Sequence, residues 1–240
     1  MNSNIKKQVL ITRPITDANE TAALLKNYGI DSLITPLLNI NQNFNAKIDL
    51  SGVQAVLVTS LHGSRALASA LSSREVPVFA VGDSSAYISK QNGFSVVFSA
   101  NGSIKDLTGL IKQKLQPDKG AIVYASGSNV AGNLVGDLTS DGYKIIRITL
   151  YEVEQASTLP EVAYSALSSG SISNILFYSP LSASLFSKLV KECKLQNNCH
   201  VISAYCLSDN VANALTINFA NVFVAPMPNQ ASLISLFINS

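Results

Sequence analysis

The chain has 240 residues, 47% of them hydrophobic and only 13% charged, against roughly a quarter charged in an average soluble protein, which excludes disorder and leaves room for two domains of ordinary size. Seventeen Lys and Arg against fifteen Asp and Glu give a net charge of +2, too small a surplus to neutralise a row of phosphates, so no nucleic-acid partner is expected. Apolar runs of four to six residues fall far short of the roughly 20 needed to span a bilayer, so no membrane segment is expected; the start, MNSNIKKQVLITRP, lacks a signal-peptide core, and a cytoplasmic location is the expectation.

Taken in chain order, apolar runs alternate with amphipathic stretches. VLIT at 9–12 is followed by a helical pattern that opens at Asp17 with Glu20, carries Ala18, Ala22 and Leu25 on one face, and stops at Gly29 before Ile30; LIT follows at 33–35. After a long connection at 36–52 come AVLV at 55–58, VFAV at 78–81, a second stop at Gly93–Phe94, and VVF at 96–98. Ser103, with Asp106 three residues on and Leu107, Leu110, Ile111 and Leu115 behind it, reads as a capped helix. AIVY at 121–124 leads to a third stop at Gly142–Tyr143, then IIRI at 145–148. A second long connection at 149–174 precedes ILFY at 175–178, VISA at 201–204 and VFVA at 222–225. Runs without polar alternation suit strands buried on both faces, hence parallel, and strands alternating with helices predict an α/β fold.

The chain also repeats itself. Ile11 to Gly29 spans the same length as Tyr124 to Gly142. VLVTS at 56–60 matches LFYS at 176–179, AVGDSSA at 80–86 matches CLSDNVA at 206–212, and VVFSANGSIKDL at 96–107 matches VFVAPMPNQASL at 222–233. This predicts two similar, doubly wound, five-stranded domains. The two long connections are the natural crossings between them, so the middle of the chain forms one domain and its two ends together form the other. A cleft lined by the carboxyl ends of both sets of strands would result.

Polar turns occur where strands are expected to give way to helices: Thr12-Arg13, Thr59-Ser60, Gly82-Asp83-Ser84-Ser85, Ser126-Gly127-Ser128, Ser179-Pro180 and Ser208-Asp209. Such residues serve as ordinary N-caps without any ligand, but their concentration on one face favours a polyanionic organic ligand. Cys193, Cys199 and Cys206 fall in an expected helix, loop and strand and read as buried thiols; with His200 they have no C-x-x-C spacing, so no metal is expected. His62 and His200 read as loop or surface histidines. No G-x-G-x-x-G is present, and Asn133 stands where a phosphate-binding loop begun at Gly127 would need lysine. No G-x-S-x-G elbow appears either.

Together, VLITRP, YGI, PLLNI at 36–40, VLVTS, FAVGDSSA at 79–86, GYKIIRITLYEV at 142–153, LFYSP at 176–180 and a terminal P-x-x-x-S-L at 228–233 resemble the uroporphyrinogen-III synthase family. The resemblance implies two flavodoxin-like domains, 1–35 plus 155–240 and 41–148, joined by a two-stranded β-ladder of 36–40 and 149–154. It implies a monomer without metal or organic cofactor that acts on hydroxymethylbilane, with possible transient contact with the preceding pathway enzyme. The reaction implied is a cyclisation with loss of water and inversion of the last pyrrole ring, through an azafulvene and a spiro intermediate. Tyr151 falls on the family's tyrosine, a neutral donor to the departing hydroxyl, or else packs as a ladder residue. Arg13, Thr59, Ser60, Gly82, Ser85, Ser126, Gly127, Ser179 and Ser208 are the implied substrate-binding positions, with Arg13 either pairing with a carboxylate or bracing its own turn. The chain departs from the family at Ser208 and Val211, where Gly and Thr are usual, and at Ser128, Asn129, Val130 and Ala131, where Arg or Lys is common. A non-catalytic two-domain binding protein and a two-domain glycosyltransferase are the rival readings.

Overall fold

The computed structural model describes residues 8–100, 102–130 and 132–240. Ala131, named above in the loop after Gly127, lies outside them, as does Asn101 of the repeat at 96–107. The chain opens with strand β1 (Gln8–Ile11), helix α1 (Ile15–Lys26), β2 (Ser32–Ile34) and β3 (Leu38–Gln42). It continues through β4 (Val53–Val58), α2 (Leu61–Ala70), β5 (Val78–Ala80), α3 (Asp83–Gln91), β6 (Val97–Ser99) and α4 (Ile104–Lys114). Next come β7 (Ala121–Gly127), α5 (Leu134–Ser140), β8 (Ile145–Gln155), α6 (Glu161–Ser168) and β9 (Ile172–Phe177). The remainder is α7 (Pro180–Glu192), a 3-10 turn (Gln196–Val201), β10 (Ser203–Cys206), α8 (Asp209–Asn213), β11 (Asn221–Val224) and α9 (Gln230–Ile238).

The chain divides into two compact units, Met1–Asn39 with Glu154–Ser240 and Ile40–Val153. The first holds a sheet of order β11-β10-β9-β1-β2, all pairs parallel. The second sheet has the order β3-β8-β7-β4-β5-β6, with its five strands from β8 to β6 parallel. The internal repeat maps β7, β8, β4, β5 and β6 onto β1, β2, β9, β10 and β11, and under that mapping the spatial order of the two five-stranded sheets is identical. In both, strand order reverses between the first and third members of the repeat, at β1/β9 and at β7/β4. Loops outside the carboxyl ends at such a reversal diverge and leave a crevice, the usual ligand position in open α/β sheets.

The central strands of each sheet are buried because helices cover both faces. In the second unit Val56, Val78, Val123 and Leu67 form one core layer and Leu57, Phe79, Ile122, Leu107 and Ile111 the other. In the first, Val9, Ile11, Leu176 and Tyr205 pack with Leu25 of α1 and Leu233 of α9, while Phe177 meets Phe186 of α7 edge-on at 5.3 Å. Burial of each such side chain contributes about 1.5–3 kcal/mol. The three glycine stops have positive φ at Gly29, Gly93 and Gly142. Past them the N–H groups of Ile30, Phe94 and Tyr143 reach back to the carbonyls of Leu25, Ser89 and Leu138, closing the helix ends. Ser103 accepts from the N–H of Asp106, as its spacing requires.

Four local expectations are corrected. Helix α1 starts at Ile15, two residues before Asp17, because Pro14 at the boundary has no N–H to place inside a helix. The strand expected at 201–204 begins at Ser203, since the 3-10 turn carries Val201, 73% exposed. The strand begun at IIRI does not end at 148 but runs unbroken as β8 to Gln155. Ser126 and Gly127 do not open a helix: they are the last residues of β7, and α5 starts only at Leu134 after Asn133.

Cys199 and Cys206 are fully buried and Cys193 is partly so; all three are free thiols. Burial pushes both buried thiols up to about 12. At pH 8 only Cys193 is expected to react readily with a disulfide reagent, and all three after urea denaturation; immediate modification of all three in the native protein would contradict the packing. An unfolded chain begins releasing these protons near pH 9 while the folded one holds them to about 12. Their stabilising contribution is therefore complete below pH 9 and is lost as pH rises toward 12, which urea titrations at pH 8 and 10.5 measure.

Candidate active site

The polar groups of the second unit gather where its sheet reverses. Gly127 at the end of β7 stands in register with Tyr151 of β8, but Ser126 pairs with Thr149, so β8 holds one extra residue at this point. A bulge of this kind turns the following side chain out of its regular alternation. The Tyr151 ring lies so close over Gly127 that a Cβ there would stand 2.7 Å from Cζ and 3.0 Å from the phenol oxygen. A Cβ at Gly63, the third residue of α2, would be at the ordinary contact distance of 3.9 Å from ring atom Cε1. The ring packs closely on Gly127, and Tyr151 is 7% exposed.

The phenol oxygen of Tyr151 is 2.8 Å from Ser60 Oγ. Ser60 is the N-cap of α2 and its Oγ accepts from the N–H of Gly63 at 2.9 Å. Burial raises the pKa of Tyr151, the hydrogen bond with Ser60 lowers it, nearby Tyr124 raises it, and the backbone at Gly127 lowers it. The net direction is upward from 10, so the phenol keeps its proton at ordinary pH. His62, on the first turn of α2, lies with its ring centroid 6.1 Å from that of Tyr151; its spacing in the sequence had no partner to reveal this proximity.

The other implied residues of this unit are mostly engaged within the protein. Thr59 Oγ1 and the Tyr124 hydroxyl are 2.8 Å apart. Ser126 Oγ accepts from Arg147 Nε, and Arg147 Nη2 donates to the carbonyls of Gly127 and Ser128. Arg147 thus supplies the positive charge that the loop after Gly127 lacks in its sequence; it comes from the neighbouring strand, which local spacing could not show. Ser85 is buried and its carbonyl accepts from Ser64 and Ser89. Gly82 is the N-cap of α3, which has no side-chain cap, while Asp83 of its first turn accepts from Ser99.

In the first unit the equivalent reversal carries Arg13 after β1 and Ser179 after β9. Ser179 caps α7 through the N–H of Ser182. Ser208 precedes the five-residue α8 without a side-chain cap bond, and Val211 is buried. Arg13 turns inward. Its guanidinium lies 3.9 Å over the Tyr178 ring, donates to Thr21 and Gln230 at 3.0 and 2.5 Å, and stands 3.8 Å from Asp17. Among the described residues no group of three His, Cys, Asp or Glu could hold a metal ion, and no helix is long and apolar enough to cross a membrane.

Two parallel-sheet units wound in the same spatial order, with a buried phenol and serine-capped helices at the strand ends, define a two-domain α/β protein. The sequence model of uroporphyrinogen-III synthase HemD matches residues 19–235, and the chain belongs to the uroporphyrinogen-III synthase family, lyase-class enzymes that cyclise hydroxymethylbilane. A mutant uroporphyrinogen III synthase from Thermus thermophilus superposes with a TM-score of 0.61 at 17% identity, covering 97% of this chain and 98% of that one. The uroporphyrinogen-III synthetase of Helicobacter pylori superposes with a TM-score of 0.61 at 14% identity, covering 97% and 99%. At these identities the likeness is one of fold. No curated protein matches significantly. The glycosyltransferase and non-catalytic readings are not favoured by the family match.

Proposed function

We propose that this chain closes hydroxymethylbilane to uroporphyrinogen III with Tyr151 as the hydrogen-bond donor to the departing hydroxyl. The observation that carries this reading is the buried phenol packed against Gly127 and hydrogen-bonded with Ser60. Loss of the terminal hydroxyl takes the C–O bonding pair with it; together with the pyrrole N–H proton it makes the water released, and the azafulvene left behind is the electrophile. Attack from the substituted carbon of ring D forms the spiro intermediate, which fragments and recloses with that ring inverted. The bilane closes without inversion on its own, so the protein contributes conformation and stabilisation of the leaving oxygen, and holding the reacting carbons together accounts for on the order of 7–11 kcal/mol in good intramolecular cases.

Substrate carboxylates are recognised in this reading by backbone N–H groups more than by side chains. The hydroxyls of Thr59, Ser60 and Ser179 are paired with internal hydroxyls, and that of Ser126 accepts from Arg147. The first turn of α3 after Gly82 lacks a side-chain cap and offers N–H groups to an anion. Incubation with freshly prepared hydroxymethylbilane should give the type III isomer faster than the spontaneous type I, and Tyr151→Phe should lower kcat about a hundredfold. Type I product alone, at the uncatalysed rate, would reject the assignment.

A further inference from the structure

From the hydrogen bonds at the start of α2, we infer that Ser60 is a positioning residue for Tyr151 rather than a carboxylate ligand: its hydroxyl donates to the Tyr151 oxygen and leaves the phenol proton free for the substrate. This rests on the reading of Tyr151 as the donor. Ser60 Oγ carries one proton and already accepts from the N–H of Gly63 at 2.9 Å. The 2.8 Å contact with Tyr151 can run in either direction. If Tyr151 donated inward, its proton would be used up and the phenol would have nothing to give a leaving group. With Ser60 donating, one continuous chain runs from the Gly63 N–H through the Ser60 hydroxyl to the Tyr151 hydroxyl and outward.

The chain begins at the N-terminus of a ten-residue helix, where the partial positive charge of the unsatisfied N–H groups polarises whatever accepts from them. Each donor in such a chain is strengthened by the one behind it. The geometry favours this use of Ser60: its rotamer is held by the cap bond, and the ring it meets packs so closely on Gly127 that a Cβ there would stand 2.7 Å from Cζ. A hydroxyl spent on both the cap and the phenol has no further proton for a substrate carboxylate.

The test is a cycle of Ser60→Ala, Tyr151→Phe and the double variant, with Ser60→Thr as the conservative rescue, read as kcat and KM for type III product. Ser60→Ala should lower kcat about tenfold with KM changed less than about twofold, and Ser60→Thr should restore most of the rate. In the Tyr151→Phe background Ser60→Ala should change kcat by less than about twofold, because the group it acts through is gone. The lost helix cap should lower thermal stability equally in both backgrounds, which separates it from the coupling. A full Ser60→Ala effect in the Tyr151→Phe background, or a raised KM at unchanged kcat, would overturn the inference while leaving Tyr151 as donor. Unchanged turnover in Tyr151→Phe alone would overturn both.

Discussion

Gly127→Ala is expected to lower kcat for cyclisation about a hundredfold, as much as removing the phenol itself. The added Cβ would stand 2.7 Å from Cζ and 2.8 Å from Cε2 of Tyr151, distances real Cβ atoms do not sustain. An exposed ring would swing aside at little cost, but this one is nearly buried and bonded to Ser60. Nor does Gly127 have room to retreat, because its carbonyl is held by Arg147 and the N–H of Ser128 is bonded to Tyr151. The ring must therefore shift by something near an ångström, and misplacement on that scale costs on the order of a hundredfold in rate. Overpacking also destabilises, by about 1–3 kcal/mol, so kcat is to be measured well below the melting temperature. Gly127→Ala added to Tyr151→Phe should cost little more than either change alone. A Gly127→Ala enzyme turning over at the unaltered rate would show that the phenol's position does not matter.

What the sequence displayed here and what it hid follow from the range of the interactions. All ten apolar runs became strands; in the central ones, β1, β4, β7 and β9, burial on both faces forces an unbroken apolar segment whatever the tertiary partner. The glycine stops were equally visible: Gly29, Gly93 and Gly142 act through carbonyls five residues back on the same helix. That the two sheets share one strand order followed from the repeat, since two copies of one arrangement must solve the same packing problem; the order itself came only with the structure. The bulge between Thr149 and Tyr151 was not visible, because it exists only as a register against β7. Arg147 likewise reads as an exposed strand residue until β8 is laid beside Ser126. His62 lacks any sequence partner and meets Tyr151 only across 89 positions of chain, a pairing that no spacing rule encodes. The roles of individual site residues thus depended on the family resemblance, whereas the fold did not.

Arg13→Ala is expected to destabilise the protein by about 3 kcal/mol while leaving KM for the bilane within about twofold. Arg13 is only 9% exposed, and its charge faces the buried carboxylate of Asp17, itself 3% exposed along the side chain. Truncating one member of a buried charged pair costs about 3–5 kcal/mol, because the other charge is left in a poorly solvating environment. Here the hydrogen bonds to Thr21 and Gln230 and the stacking on Tyr178 are lost as well. Through Gln230 the arginine ties the turn after β1 to the start of α9, so the damage should spread to that helix and appear as early loss of protection of its amides in hydrogen exchange. Arg13→Lys should recover only part of the loss, since an ammonium cannot reproduce the planar stack and the forked donation. The competing role, a salt bridge to a substrate carboxylate, requires the opposite pattern: a KM raised tenfold or more with stability little changed. Urea denaturation and steady-state kinetics on the same variant decide between them, and the inward orientation of the guanidinium favours the brace.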